Sequence, residues 1–358
     1  LQARMLHQLK LSDRCLCISQ ATKSDLCDYL GMSQEKAVVS YLAADPAIFY
    51  RCTDLQLQLA VRQKYNLGDA PYILSLCTLE PRKNIDHLLR AFARLVRERT
   101  IGNTRLVLTG TKGWDFDRIF SEIDNNSELH KRIILTGYVP DEELAPLYSG
   151  AQVFAYMSLY EGFGLPPLEA MQCGTPVITS ITSSLPEVVG DAGIMLDPHD
   201  LDGLCQALVR MTTDQELRDD LAQRALNRAT LFSWERCVEE TIVAYRKALA
   251  GTEPLSAQRT EQAIVVDGVI FQLQQGQPFG ISRLWQSMLT ELGKLPIGRR
   301  IILLDRAGTA PELPGIKKRH IGAYTIGTAQ DEAAVLDGLC IEEQAGLFLS
   351  TYYTFTTA

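Results

Sequence analysis

YEGFGLPPLEAMQCGTPVI, residues 160–178, is the stretch that decides the fold. The run before it, QVFAYMS (152–158), is apolar and of strand length, and GTPVITS (174–180) reads as a turn leading into another strand. Between them, Gly162 and Gly164 allow a tight turn and close approach of backbone to a ligand. Leu165 opens a helix that runs to about residue 173, and Pro166 suits its first turn, where an N–H would have no intrahelical partner. Strand, glycine turn, helix, strand is the order of a parallel α/β layer. A helix N-terminus attracts phosphate oxygens. Glu161 in the loop and Glu169 one turn inside the helix are placed to accept hydrogen bonds from hydroxyls at two ends of an elongated ligand.

The same alternation extends outward. YILSLCTL (72–79), RLVLTG (105–110), RIILTG (132–137) and GIMLD (193–197) read as further buried strands. NIDHLLRAFARLVRER (84–99) is an amphipathic helix whose apolar stripe, Ile85, Leu88, Leu89, Phe92 and Leu95, belongs to a core. DEELAPLYSGA (141–151) is a short helix, and helices follow at about 200–212, 214–229 and 234–249. Upstream, a helix-like opening precedes a strand at 14–18, a helix at 21–30 with Ser24 and Asp25 near its start, and a strand at 37–41; residues 42–56 read as irregular. Residues 251–262 are polar, contain Gly and Pro, and read as a linker. A new strand, AIVVDGVIFQL (263–273), follows, then a glycine-containing segment, a helix from about 281, and strands at 301–305 and 347–351. With 358 residues the chain exceeds one ordinary domain of roughly 100–200 residues.

A second βα turn, TLEPRKN (78–84), carries Arg82 and Lys83, cations able to neutralise a diphosphate. Ligands in open parallel sheets gather at the carboxyl ends of the strands, so this turn and the glycine turn are expected to face one crevice. The Glu-x7-Glu spacing of 161–169, PRKN about 80 residues earlier, and LTGYVPDEELAPLYSGA (135–151) between them together resemble retaining glycosyltransferase family 4, the group 1 type. The resemblance covers about residues 1–250 and is close from 72 to 198. It implies the GT-B fold of Rossmann-like domains: an acceptor-domain tail over 1–60, a complete donor domain over 70–250, the linker, and the start of a second acceptor domain over 263–358. It also implies roles. Arg82 and Lys83 bind the donor diphosphate, and Glu161 contacts the donor sugar. The backbone of Phe163, Gly164 and Leu165 lies near sugar and phosphates, and Glu169 takes the ribose hydroxyls. Val139 lies where backbone reads the base, and Gly110 lines the pocket. The family generally needs no metal and no cofactor; the donor, of UDP or GDP type, is a substrate. Glu187 lies in a loop that the family makes a pocket wall, and its role stays open. VDGVIFQLQQGQPFGISRLW (266–285), with Gly276, Gly280, Ser282 and Arg283, resembles an acceptor-domain start, so the chain is expected to be a piece of a tandem-module protein.

Composition excludes several classes. The net charge of -8 argues against a broad nucleic-acid surface, while leaving room for a local cationic pocket and for peripheral membrane contact through a patch. No apolar run reaches the ~18–20 residues of a membrane span. Nine cysteines, an odd number without a CxxC pair, read as buried thiols of a reducing cytoplasm. Gly110-x-x-Gly113 is too sparse for a dinucleotide fingerprint, and no histidine pair has metal-like spacing; His199 reads as a loop residue. The functional expectation is hexose transfer, with mannose one candidate, from a nucleotide-diphosphate sugar to a glycan or lipid-linked acceptor with retention, in polysaccharide or cell-envelope biosynthesis, cytoplasmic or at the inner membrane face. A non-catalytic sugar-nucleotide module and a GT-B-fold epimerase remain alternatives.

Overall fold

The computed structural model describes residues 14–111, 127–250, 262–274, 280–325 and 329–351. The expectations for the opening helix, Gly113, Gly276, nearly all of the 251–262 linker and the C-terminal end lie outside these residues. The described chain divides into two compact units, one spanning Cys15–Ser233 and the other Arg14 with the residues from Trp234 onward.

The first unit is built on six parallel strands: β3 (Tyr72–Leu76), β4 (Arg105–Thr109), β5 (Ile133–Gly137), β6 (Val153–Tyr156), β7 (Val177–Ser180) and β8 (Gly193–Leu196). Their spatial order is β5-β4-β3-β6-β7-β8. The chain therefore moves outward in one direction from β3, then returns to β3's other side at β6. That reversal places a topological switch point between the carboxyl ends of β3 and β6. The central strands are mostly apolar because helices cover both faces of a parallel sheet. Tyr72, Ile73 and Leu74 are all buried. The stripe of the helix Ile85–Glu98 is buried as expected, and that helix packs on Leu201–Thr213.

Before this sheet, β1 (Cys15–Cys17) and β2 (Ala37–Val39) form a small parallel pair with the helix Gln20–Leu30, around a core containing Cys15, Cys17, Cys27, Leu30 and Met32. Each of the nine cysteines is a buried free thiol. Ser19 is the N-cap of this helix, its side chain accepting from Thr22 N, and Ser24 and Asp25 lie in the second turn. The segment 42–56 gives way to a further helix, Leu55–Lys64, that the alternation of LQLQL conceals, since its period is that of a strand. Asp54 starts it by accepting from Gln56 N and Leu57 N.

The second unit repeats the layout in miniature. Strands β9 (Ala263–Asp267), β10 (Ile301–Arg306), β11 (Lys317–Ile321) and β12 (Ala345–Ser350) are parallel, in the order β11-β10-β9-β12. Two boundaries move. The strand expected over 263–273 stops at Asp267, because Gly268 turns the chain and Val269–Leu273 is helical. The helix Trp234–Ala250, assigned to a 70–250 donor domain on its position in the chain, belongs to this unit, where it packs on Gly280–Lys294 and Val238 enters the core with Leu289 and Leu292. The compact first unit thus ends at Ser233 and includes the described residues 15–60.

Candidate functional site at the switch point

The loops after β3 and β6 flank the reversal of strand order, and they carry the residues singled out from the sequence. After β3 a short 3-10 turn, Pro81–Lys83, ends on Asn84 in the left-handed conformation. After β6 the loop crosses to the same place: Leu159 N and Ser158 Oγ both donate to the Arg82 carbonyl, at 2.9 and 3.1 Å. Glu161 is 9% exposed and lies between the two cations. Its Oε1 accepts from Lys83 Nζ at 2.6 Å and from the Tyr156 hydroxyl at 2.8 Å, and its Oε2 lies 3.0 Å from Arg82. Arg82 also donates to the Tyr160 carbonyl and to Glu80. Burial pushes the Glu161 carboxyl up, but Lys83 and Arg82 outweigh it and hold the group below its ordinary value. Burial and the neighbouring carboxylate push the Tyr156 phenol far up, so it stays a neutral donor. Cys77, at the end of β3, is no nucleophile, because burial pushes its thiol up to about 12.

The glycine turn is shaped by close packing. Gly164 precedes the helix Leu165–Gln172 with φ 112, and a Cβ there would lie 2.8 Å from Leu185 Cδ2. Pro166 and Pro167 leave two of the first three helical residues without an N–H. The helix start at 165–167 is therefore a poorer phosphate donor than the sequence reading implies. The N–H groups that precede the first helical bond, Leu168 N to Gly164 O, are those of Phe163, Gly164 and Leu165. The Phe163 ring packs onto Tyr41 and Phe232, with centroids 6.2 and 5.8 Å away.

Glu169, Val139 and Gly110 lie beyond the carboxyl ends of β6, β5 and β4. Glu169 is 8% exposed, and its Oε2 accepts from the Tyr148 hydroxyl at 2.9 Å, which fixes the carboxylate's direction. Val139 is buried beyond β5, just before the helix Asp141–Ser149. Gly110 has φ 132 beyond β4, and a Cβ there would come within 2.0 Å of the Cys77 carbonyl. The Gly110 requirement thus comes from the crossing of two strand ends. His199 is a loop residue whose N–H is held by Asp197. Ser282, on the second unit's helix Gly280–Lys294, has its N–H on Gln274.

Sequence reasoning missed the supports of the loop. Ser183 Oγ accepts from Glu161 N, and Ser184 Oγ shares its one proton between the carbonyls of Glu161 and Phe163, at 2.9 and 2.7 Å. Hydroxyl residues in SITSSLPE (180–187) are the only signal for these, and Ser is too common in turns to single them out. No cluster of His, Cys, Asp and Glu suited to a metal occurs among the described residues, and no described helix is long and apolar enough to cross a membrane.

A parallel α/β sheet with paired cations and a glycine turn at its switch point, in this strand order, is a Rossmann-like domain of the GT-B type. Residues 58–228 match the family described as glycosyl transferases group 1, and this domain belongs to that family. The chain is 39% identical over 244 residues to the O-antigen chain mannosyltransferase B of Escherichia coli, covering 68% of this chain and 63% of that protein. It is 29% identical over 259 residues to the serotype-specific mannosyltransferase WbdA of Escherichia coli, covering 72% of this chain and 31% of WbdA. The chain thus spans less than two thirds of the length of either relative. Among solved structures it resembles sucrose-phosphate synthase from Thermosynechococcus elongatus, with a TM-score of 0.59 and 25% identity over 70% of this chain and 63% of the other.

Proposed function

We propose that the first unit binds a nucleoside-diphosphate sugar at the β3–β6 switch point and takes part in transfer of a hexose to a glycan or lipid-linked hydroxyl with retained configuration. The observation that carries this reading is the meeting of Arg82 and Lys83 with Glu161 beside the glycine turn. Arg82 rests on Glu80 and Glu161, and Lys83 on Glu161, so their charge is balanced within the protein. Arg82, with 43% of its side chain exposed, can turn toward an arriving diphosphate. Lys83, at 11%, stays at the base of the crevice. Glu161 then loses part of its cationic company and is available to sugar hydroxyls. As the glycosidic bond to the nucleotide breaks, negative charge grows on the leaving diphosphate. Arg82, Lys83 and the N–H groups of residues 163–165 are placed to offset it, which is electrostatic stabilisation of the transition state. The names of both curated relatives favour mannose as the sugar, and GDP-mannose is the donor we would test first, without metal or cofactor.

The test pairs calorimetry on this chain, using GDP, UDP and their sugar derivatives, with a transfer assay on mannosylated glycan acceptors. Binding plus transfer supports the reading. Binding without transfer supports a non-catalytic module, and donor isomerisation without any acceptor supports an epimerase. Absence of nucleotide binding would remove the proposal.

A further inference from the structure

Glu187, whose role the sequence leaves open, points to a second tier of the site. Its carboxylate sits on the end of the helix Gln20–Leu30. Oε2 accepts from Gln20 N and Oε1 from Ala21 N, each at 2.7 Å, and Oε2 also takes the Tyr41 hydroxyl at 3.0 Å. A helix start has N–H groups without intrahelical partners and a partial positive charge, so a carboxylate from 166 residues away is a strong tether there. The helix held in this way touches the glycine turn. Thr22 Oγ1 accepts from Ser19 Oγ at 2.8 Å and donates to the Gly162 carbonyl at 3.0 Å. One turn further on, Asp25 accepts from the Tyr160 hydroxyl at 2.5 Å.

The consequence follows from peptide planarity. A trans peptide points its C=O and the next residue's N–H in opposite directions. Fixing the Gly162 carbonyl on Thr22 therefore aims the Phe163 N–H away from the helix Gln20–Leu30. Ser184, with one proton shared between the carbonyls of Glu161 and Phe163, in the same way constrains the N–H groups of Gly162 and Gly164. Two hydroxyls, of Thr22 and Ser184, thus constrain the successive peptide groups of the glycine turn, and with them the N–H groups that follow. Successive N–H groups of this kind form an anion-binding concavity.

We propose that Thr22, on the helix tethered by Glu187, is a positioning residue that aims the Phe163 N–H at the terminal phosphate of the donor diphosphate. The proposal rests on the reading of this crevice as a nucleotide-sugar site. Thr22 itself touches no donor atom, and Thr22→Val removes only its hydroxyl while keeping its shape.

The test compares GDP with GMP, and UDP with UDP's monophosphate, by calorimetry on the whole chain, so that the gain from the second phosphate is read directly. Thr22→Val is expected to shrink that gain about fivefold, the effect of one ordinary hydrogen bond, while monophosphate affinity is unchanged. Thr22→Ser is expected to restore the gain to within about twofold of the wild type. A purely structural role would lower the melting temperature and weaken both nucleotides in parallel, and that result overturns the proposal, as does an undiminished gain in Thr22→Val or a failure of Thr22→Ser to restore it. Should Thr22→Val not fold, Thr22→Ala gives the same comparison. The two readings fail differently. A wild type with no gain from the second phosphate overturns the nucleotide site and this inference together. A gain that Arg82→Ala abolishes and Thr22→Val leaves intact overturns the positioning role alone.

Discussion

The two sheets share one wiring and put it to opposite uses. In both, the chain steps outward from a first strand and returns to that strand's other side, so β3–β6 in the first unit and β9–β12 in the second each define a switch point. At the first, the charges are open to solvent on one side: Arg82 is 43% exposed and rests on carboxylates it can leave. At the second, the corresponding charges are sealed. Asp267, ending β9, and Arg306, ending β10, form a two-pronged pair with both bonds 2.9 Å long and almost no exposure. Glu332 takes a third Arg306 N–H, the Tyr324 ring lies beside the guanidinium, and Thr351 beyond β12 closes on the Asp267 carbonyl. Topology therefore provides a crevice, and the solvation of its charges decides whether that crevice can receive a ligand or serves to hold strands together.

The largest expected effect tests the sealed side. Arg306→Met should leave Asp267 buried without its partner and destabilise the second unit by about 3–5 kcal/mol. A melting curve should show this, with nucleotide affinity of the first unit unchanged; loss of nucleotide binding in the same variant would break the contrast. On the open side the order reverses. Arg82→Ala and Glu161→Gln should each lower turnover by about 10²–10³-fold, the first with little change in melting temperature and the second with a fall, because Lys83 loses its buried partner. Normal turnover in both would strip the site assignment of its basis.

Smaller effects sharpen the picture. Glu187→Gln retains one acceptor for two N–H groups, and should cost about 1–2 kcal/mol of stability, the scale of a lost helix cap, as read from denaturant titration. A variant as stable as the wild type would mean the tether carries no energy. The smallest effect is one of pH. Glu161 titrates below its ordinary value, so its contribution to stability is complete above the unfolded carboxyl pKa of about 4.3 and is lost as pH falls through the lower folded value. Lys83→Met leaves burial, which raises the pKa, opposed by less positive charge. The acid-unfolding midpoint should then move to higher pH; a midpoint that stays in place, or moves lower, would show that Lys83 does not control this carboxylate.

Much of the first unit was legible because its signals are local. Apolar runs of strand length, the amphipathic stripe of Ile85–Glu98, and glycines and prolines at βα turns each report on a few neighbouring residues. The errors share a cause as well. The LQLQL alternation hides the helix Leu55–Lys64, since tertiary context overrides a short pattern. AIVVDGVIFQL reads as one strand until Gly268 turns it. Trp234–Ala250 joins the second unit because its apolar face finds Leu289 and Leu292, partners that its place in the chain does not announce.

The sequence by itself determined that strands and helices alternate and that two charged turns follow strands, and these in turn require a parallel sheet with both turns on its carboxyl edge. Only the tertiary structure decided which way each peptide group faces, that Glu187 grips a helix 166 residues away, and that Asp267 and Arg306 are sealed from water. The reason is range. Backbone periodicity is set by neighbouring residues, whereas the direction of a hydrogen bond and the solvation of a charge depend on groups that only folding brings together.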